Sequence, residues 1–243
     1  MPIRCEVTNV SKKLRQNQAL AGVSIEFGEG ILHGLIGPDG AGKTTTLRLL
    51  AGLLSPNEGG IRFLDGNREL DRRESRARMA YMPQQQSLYP DLSVAEHLDF
   101  FRDLYQLPRE VYGPRREELL RITRLEKFQD RPAGKLSGGM YKKLGLMCSL
   151  LQSPEILLLD EPTNGVDPIS RREFWELLYR LRERRILIII ATAYMDEAER
   201  CDRVHLLDRG SVLASGEPRE LMHAAGAETL QAYFLERLRA AAT

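Results

Sequence analysis

The chain has 243 residues, 42% of them hydrophobic and 28% charged, with a formal net charge of +1. That length suits one large domain of ordinary globular composition, and the balanced charge argues against a nucleic-acid partner or an acidic disordered tail. Cys5, Cys148 and Cys201 are too scattered for a zinc module or a disulfide framework, and the longest apolar run, residues 186–191, suits a buried strand and not a bilayer span.

No apolar stretch follows Met1-Pro2-Ile3, so no leader peptide is expected, and any membrane is expected to enter through a partner. Val23–Phe27 alternates apolar and polar residues and runs into Gly28-Glu29-Gly30, which predicts a hairpin. Ile31–Ile36 reads as a buried strand; a glycine-rich loop follows, then a helix over Thr44–Leu54 with Leu47, Leu50 and Leu54 on one face. Met79–Met82 predicts a short strand stopped by Pro83. From Leu92 to Leu151 the character changes to charged amphipathic stretches, and helices are expected over Ser93–Tyr105, Pro114–Glu126 and Ser137–Leu151. Strands resume at Ile156–Leu159, Ile186–Ala191, Val204–Leu207 and Ser211–Ala214, and a terminal helix is expected over Ala227–Ala240. Short apolar runs alternating with helical patterns predict an α/β fold around a mainly parallel sheet, carrying one helical insertion.

Gly37-Pro38-Asp39-Gly40-Ala41-Gly42-Lys43-Thr44 fits glycine, four residues, then Gly-Lys-Thr. Glycines let successive backbone N–H groups converge on phosphate oxygens, and the helix that opens there adds its partial positive charge. Lys43 can bridge the β- and γ-phosphates while the Thr44 hydroxyl ligates Mg²⁺. A glycine-rich turn with a surface lysine is the plain alternative, but the strand before it and the helix after it favour a nucleotide site. At the end of the run Ile156–Leu159 stand Asp160 and Glu161. Ligands bind outside the carboxyl ends of parallel strands, so both acids should face the phosphate loop, Asp160 holding Mg²⁺ and Glu161 polarising the attacking water as general base. Taken alone, such acids serve equally well as helix N-caps. Ser137, Gly138 and Gly139 open an amphipathic helix, which makes either a second anion nest or an ordinary N-cap.

In this order the motifs resemble the ATP-binding-cassette (ABC) transporter ATPases over essentially the whole chain. The matching segments are the phosphate loop through Thr45, Gln84 after Tyr81-Met82-Pro83, the signature Leu136-Ser137-Gly138-Gly139, Asp160-Glu161-Pro162-Thr163, and Gly165-Val166-Asp167. The resemblance implies a P-loop NTPase of RecA-like architecture, a mainly parallel sheet with an antiparallel β subdomain and an inserted helical subdomain. Residues 1–84 and 153–243 would form the nucleotide-binding core, and 85–152 the helical insertion with the signature. It further implies ATP and Mg²⁺ as ligands, with two cassettes packed head to tail so that Ser137, Gly138 and Gly139 meet the partner's γ-phosphate and Asp167 crosses the interface. Gln84 would join the Mg²⁺ and water shell. Ser87-Leu88-Tyr89-Pro90-Asp91-Leu92 stands where the family docks its membrane permease, with Leu88 and Tyr89 expected to be exposed; the plain alternative is that the two pack the insertion onto the core.

The chain departs from the family at three places. Tyr194 stands where most members have a histidine on the γ-phosphate, Met140 replaces the glutamine that closes the signature, and Leu14 replaces an aromatic residue on adenine. Leu136–Met140, Lys143–Leu146 and Ala193–Asp202 resemble the branch of drug-export cassettes serving a separate, ABC-2-type permease. The implied function is an ATP-hydrolysing exporter subunit at the cytoplasmic face of the cell membrane, moving drugs or other hydrophobic compounds. This chain spans one cassette, so a second is expected from another copy or another polypeptide. A regulatory cassette that binds ATP but hydrolyses it weakly, because of Tyr194, remains the alternative. Translation-factor cassettes pair two units across a charged linker and DNA-repair relatives insert a long coiled coil; neither pattern is present.

Overall fold

The computed structural model describes residues 3–85 and 88–241. A long hairpin comes first: β1 (Ile3–Leu14) pairs antiparallel with β2 (Asn17–Phe27). The predicted alternation in β2 is real, with Leu20, Val23, Ile25 and Phe27 buried. Its partner is β1, however, and no hairpin forms at Gly28–Gly30. There the chain leaves the antiparallel sheet and enters β3 (Leu32–Ile36), which lies in a different sheet.

After β3 comes α1 (Lys43–Leu50), which ends four residues short of the predicted Leu54. Gly52 adopts φ +67°, its N–H bonds the Leu49 carbonyl and that of Leu53 bonds Arg48, a glycine-terminated helix end. Next come β4 (Glu58–Asp65), β5 (Arg68–Leu70), α2 (Arg72–Ala77) and β6 (Met79–Met82). Helices α3 (Val94–Leu104), α4 (Arg109–Thr123) and α5 (Gly138–Leu150) follow before the sheet resumes with β7 (Ile156–Asp160). Helix α4 starts five residues before Pro114, because buried Tyr112 anchors its first turn by donating to Asp99. The remaining elements are α6 (Pro168–Arg182), β8 (Leu187–Thr192), α7 (Met195–Ala198), β9 (Arg203–Asp208), β10 (Ser211–Gly216), α8 (Pro218–Ala225) and α9 (Leu230–Ala241). The terminal helical region is thus two helices, since Gly226 in the left-handed conformation closes α8.

Two sheets result. One is antiparallel in the order β2-β1-β4-β5; the other runs β10-β9-β3-β8-β7-β6, with β9 through β6 parallel and β10 an antiparallel edge. The central strands β7 and β8 are buried along their full length, as parallel strands covered on both faces must be. Successive side chains still go opposite ways. Leu157, Leu159, Ile188 and Ile190 join the core formed with α3–α6 and α9, whereas Ile156, Leu158, Leu187 and Ile189 join the core shared with α1 and the antiparallel sheet. Each such residue contributes roughly 1.5–3 kcal/mol relative to exposure, so the sheet centre is the most firmly held part of the molecule.

Within the second core β3 and β9 bring two buried histidines together. His33 Nδ1 lies 3.2 Å from His205 Nε2, the Gly28 N–H meets His33 Nε2 at 2.9 Å, and His205 Nδ1 meets Ser215 Oγ at 2.9 Å. Phe27 covers both rings edge-on. Burial lowers the pKa of His33 to about 4 and that of His205 to about 3, from an ordinary 6.5. The unfolded chain therefore takes up protons first as pH falls. Stability from the neutral pair is complete above the unfolded value and declines through pH 6.5 towards 4, by up to about 1.4 kcal/mol per pH unit for each histidine. Thermal melts at falling pH should show this loss in the wild type and a flatter profile in a His33→Gln/His205→Gln variant.

Candidate functional site

The site is built from the carboxyl ends of β3, β6 and β7. Immediately after β3 the loop 37–42 turns into α1. Gly42 at the helix start has φ +105°, and a β-carbon there would lie 2.8 Å from the Ala19 carbonyl oxygen; at Gly37 it would lie 2.3 Å from that of Leu207. Only glycine fits either place. Gly42 also leaves α1 without a side-chain cap, in contrast to α3, α5 and α6, which Ser93, Ser137 and Asp167 cap. The first-turn N–H groups of α1 are thereby free to meet an anion.

Lys43 is almost wholly buried, and its Nζ donates to the carbonyls of Gly37 at 2.7 Å and Pro38 at 3.0 Å. The same ammonium lies 3.6 Å from the Glu161 carboxylate. Thr44 Oγ1 donates to Asp160 Oδ1 at 3.0 Å, and the Tyr81 hydroxyl donates to Asp160 Oδ2 at 3.2 Å. Burial raises the Asp160 pKa, against the two hydrogen bonds, and pushes the Tyr81 phenol up to about 12. Glu161 follows with φ +45°, its N–H held by the Ala191 carbonyl of β8 at 2.8 Å. That unusual backbone turns its side chain to the loop side, where Oε2 accepts from Gln84 Nε2 at 2.8 Å and from Asn164 Nδ2 at 3.1 Å. An open cleft of about 460 Å³ lies over this group, lined by residues 39–45, Gln84 and Glu161, with Leu14 and 17–19 on its far wall.

Thr44 and Asp160 offer hydroxyl and carboxylate oxygens in direct contact, and Gln84 an amide on the same cleft as Thr44, the hard donors that Mg²⁺ prefers. Among the described residues no group of three or more His, Cys, Asp or Glu could hold a metal. A cation here would depend on phosphate oxygens for most of its shell, which fits Mg²⁺ with a nucleotide and no self-contained metal centre.

The remaining predicted residues lie elsewhere. Ser137 caps α5, its Oγ accepting from the Met140 N–H at 3.3 Å while its own hydroxyl proton stays available. At Gly139 a β-carbon would lie 2.3 Å from Ser170 Cβ, so α5 and α6 approach there as only glycine permits. Asp167 caps α6 by accepting from the N–H groups of Ile169 and Ser170, and these bonds hold its pKa below the ordinary carboxylate value. Ser137, Gly138, Gly139, Asp167 and Tyr194 do not line the cleft over the phosphate loop of their own chain. Tyr194 instead donates its hydroxyl to Asn164 Oδ1 at 3.2 Å, beneath the Arg171 guanidinium.

Sequence reasoning missed Tyr81, Asn164 and Lys142. Lys142 reaches from α5 to the Gln84 carbonyl at 3.2 Å, and burial lowers its pKa. Asn164 carried a faint signal, standing in the turn between Asp160-Glu161 and Asp167; Tyr81 and Lys142 carried none. In the segment expected to be a docking site, Ser87 lies outside the described residues. Leu88 is half-buried against the helical core, contrary to its expected exposure, while Tyr89 is 54% exposed and packs edge-on against Phe100.

Residues 20–164 match the family model described as "ABC transporter". The chain is 45% identical over 203 residues to the "Probable multidrug ABC transporter ATP-binding protein YbhF" of Escherichia coli, an alignment covering 84% of this chain and 35% of that protein. The chain thus spans about a third of that relative's length. It is also 37% identical over 229 residues to the Nod factor export ATP-binding protein I of Ralstonia nicotianae, covering 93% of this chain and 71% of the relative. Among solved structures, an ATP-binding subunit of an ABC transporter superposes with a TM-score of 0.83 at 29% identity, over 96% of this chain and 99% of the other. A dimeric ATP-binding cassette in a post-hydrolysis state with ADP and Pi superposes with a TM-score of 0.75 at 27% identity, over 88% and 98%.

Proposed function

The chain belongs to the ABC transporter ATPase family, and on that premise we propose that it binds Mg-ATP in the cleft over residues 37–45 and hydrolyses it to drive a separate membrane permease. The observation that carries this reading is the convergence of Lys43, Thr44, Gln84 and Glu161 from three strand ends onto one cleft, with Asp160 bound to the Thr44 hydroxyl beside it. The loop amides and the Lys43 ammonium bind the β- and γ-phosphates, and Thr44, Gln84 and Asp160 hold Mg²⁺. When held there, Mg²⁺ would supply positive charge against the negative charge of the phosphates. Glu161 takes a proton from the attacking water, whose oxygen bonds the γ-phosphorus as the bond to ADP breaks.

Ser137, Gly138 and Gly139 act on the ATP of a second cassette and Asp167 lies at that interface. Two observations support this: these residues lie off their own chain's cleft, and a related cassette was solved as a dimer. We read residues 1–84 and 153–243 as the nucleotide-binding core and 85–152 as the helical subdomain. The exposed Tyr89, with Leu88 and Pro90 beside it, would receive an apolar element of the permease. Among the described residues no helix is long and apolar enough to cross a membrane; we place the chain peripherally at the cytoplasmic face because its family's cassettes serve a membrane permease. The names of the relatives favour export, with drug-like or other hydrophobic cargo. One feature favours the second reading, an ATP-binding regulatory cassette: Tyr194 stands in place of the family's histidine and its hydroxyl is engaged by Asn164 Oδ1. Phosphate release from Mg-ATP decides between them. Turnover that stops on chelation of Mg²⁺ is expected; binding of ATP without turnover would favour the regulatory cassette.

A further inference from the structure

Glu161 is joined through Asn164 to a closed ring of contacts. Its Oε2 accepts from Asn164 Nδ2, and Asn164 Oδ1 accepts from the Tyr194 hydroxyl. The Arg171 guanidinium lies 4.8 Å over the Tyr194 ring, a cation–π contact, and also pairs with Asp196. Arg171 Nε lies 3.2 Å from Glu197 Oε1. That carboxylate is completely buried and accepts from the hydroxyls of Thr163 and, at 2.8 Å, Thr192. Thr163 adjoins Asn164 in the chain, which closes the ring.

We propose that Asn164, Tyr194 and Arg171 are positioning residues that hold the Glu161 carboxylate in one orientation, with Glu197 as their buried anchor. The inference rests on Glu161 being the base of the reaction. A carboxylate can only accept, so its orientation depends on donors fixed in space. The Asn164 amide supplies one such donor, but its two ends are nearly equal in shape and differ only in hydrogen-bonding sense. Glu161, which can only accept, takes Nδ2, and the Tyr194 hydroxyl donates to the Oδ1 left on its side, so the amide is held at both ends. Arg171 in turn holds the phenol ring, and Glu197 holds Arg171. Tyr194 thus serves the base through Asn164.

The test compares full-length Tyr194→Phe, Asn164→Ala and the double variant by steady-state phosphate release. Tyr194→Phe keeps the ring beneath Arg171 and removes only the hydroxyl. Each single variant should lower kcat about 3–10-fold, the worth of one neutral hydrogen bond, with KM for ATP changed by less than about twofold. The double variant should be no slower than Asn164→Ala. Multiplicative losses, or a raised KM in Tyr194→Phe as direct phosphate contact requires, would overturn the proposal. A second readout needs no turnover: with side-chain ¹⁵N-labelled asparagine, the Asn164 amide resonance should shift in Tyr194→Phe and in Glu161→Gln. An unmoved resonance also overturns it. If the resonance moves while the wild type releases no phosphate, the ring stands and the hydrolytic reading falls.

Discussion

Glu161→Gln should lower steady-state phosphate release by about 10²–10⁴-fold, the usual worth of a positioned general base, while leaving ATP binding intact. The substitution keeps length and shape but removes the group that takes the water's proton. It also disturbs the hydrogen bonds around the carboxylate. Glu161 now accepts from Gln84 and Asn164 and lies beside the Lys43 ammonium, so three donors face one carboxylate. A glutamine can accept from only part of this set, and its own NH₂ must turn away from all three. The phosphate contacts of the loop amides, Lys43 and Thr44 do not depend on this carboxylate, so nucleotide still binds. With binding kept and hydrolysis lost, the variant should accumulate as an ATP-bound dimer, seen by light scattering in saturating Mg-ATP. A variant that turns over at the wild-type rate would remove Glu161 from the role of base. One that loses turnover but stays monomeric would point to a different polypeptide as the second cassette.

Lys43→Ala should weaken ATP binding by about 10–100-fold, the loss of one charge-assisted phosphate contact in a partly desolvated site. Lys43 is buried, and among the described residues its amine meets two loop carbonyls and the Glu161 carboxylate. These contacts keep a buried charge satisfied and aim it across the loop. Alanine would leave the Gly37 and Pro38 carbonyls without that donor, so a thermal melt belongs beside the titration. A folded Lys43→Ala chain with unchanged affinity for ATP would contradict the phosphate role.

The two predictions rest on motifs that differ in how far they could be read from sequence. The phosphate loop was legible because its chemistry is contiguous: Gly37, Gly42, Lys43 and Thr44 are tied by backbone geometry within one turn of chain. Asp160 and Glu161 were legible because a strand buried on both faces reads as an unbroken apolar run, and acids at its end stand out. Segments with weak periodicity gave poorer results. The hairpin expected at Gly28–Gly30 failed since alternation in β2 reports a half-buried strand but not its partner. The end of α1 was overrun because Leu54 fits the helical face, whereas Gly52 decides where the helix stops.

The sequence by itself therefore determined the α/β class, the nucleotide loop, the acidic strand end and the family these motifs resemble, all from short-range patterns of residue type. What only the tertiary structure decided is which distant side chains meet. Tyr81 and Asp160, His33 and His205, Asn164 and Tyr194, and Arg171 and Glu197 are brought together by strand order and by the turns beyond the strand ends. In the sheet β8 lies between β3 and β7, so residues far apart in the chain share one end of it. Hydrogen-bond partners across such distances leave no periodic trace in sequence, because each is set by a single pair of positions and not by a repeating face. That is why Tyr194 could be read from sequence as a residue at a phosphate position, and only the folded chain joined it to Asn164 and, through it, to Glu161.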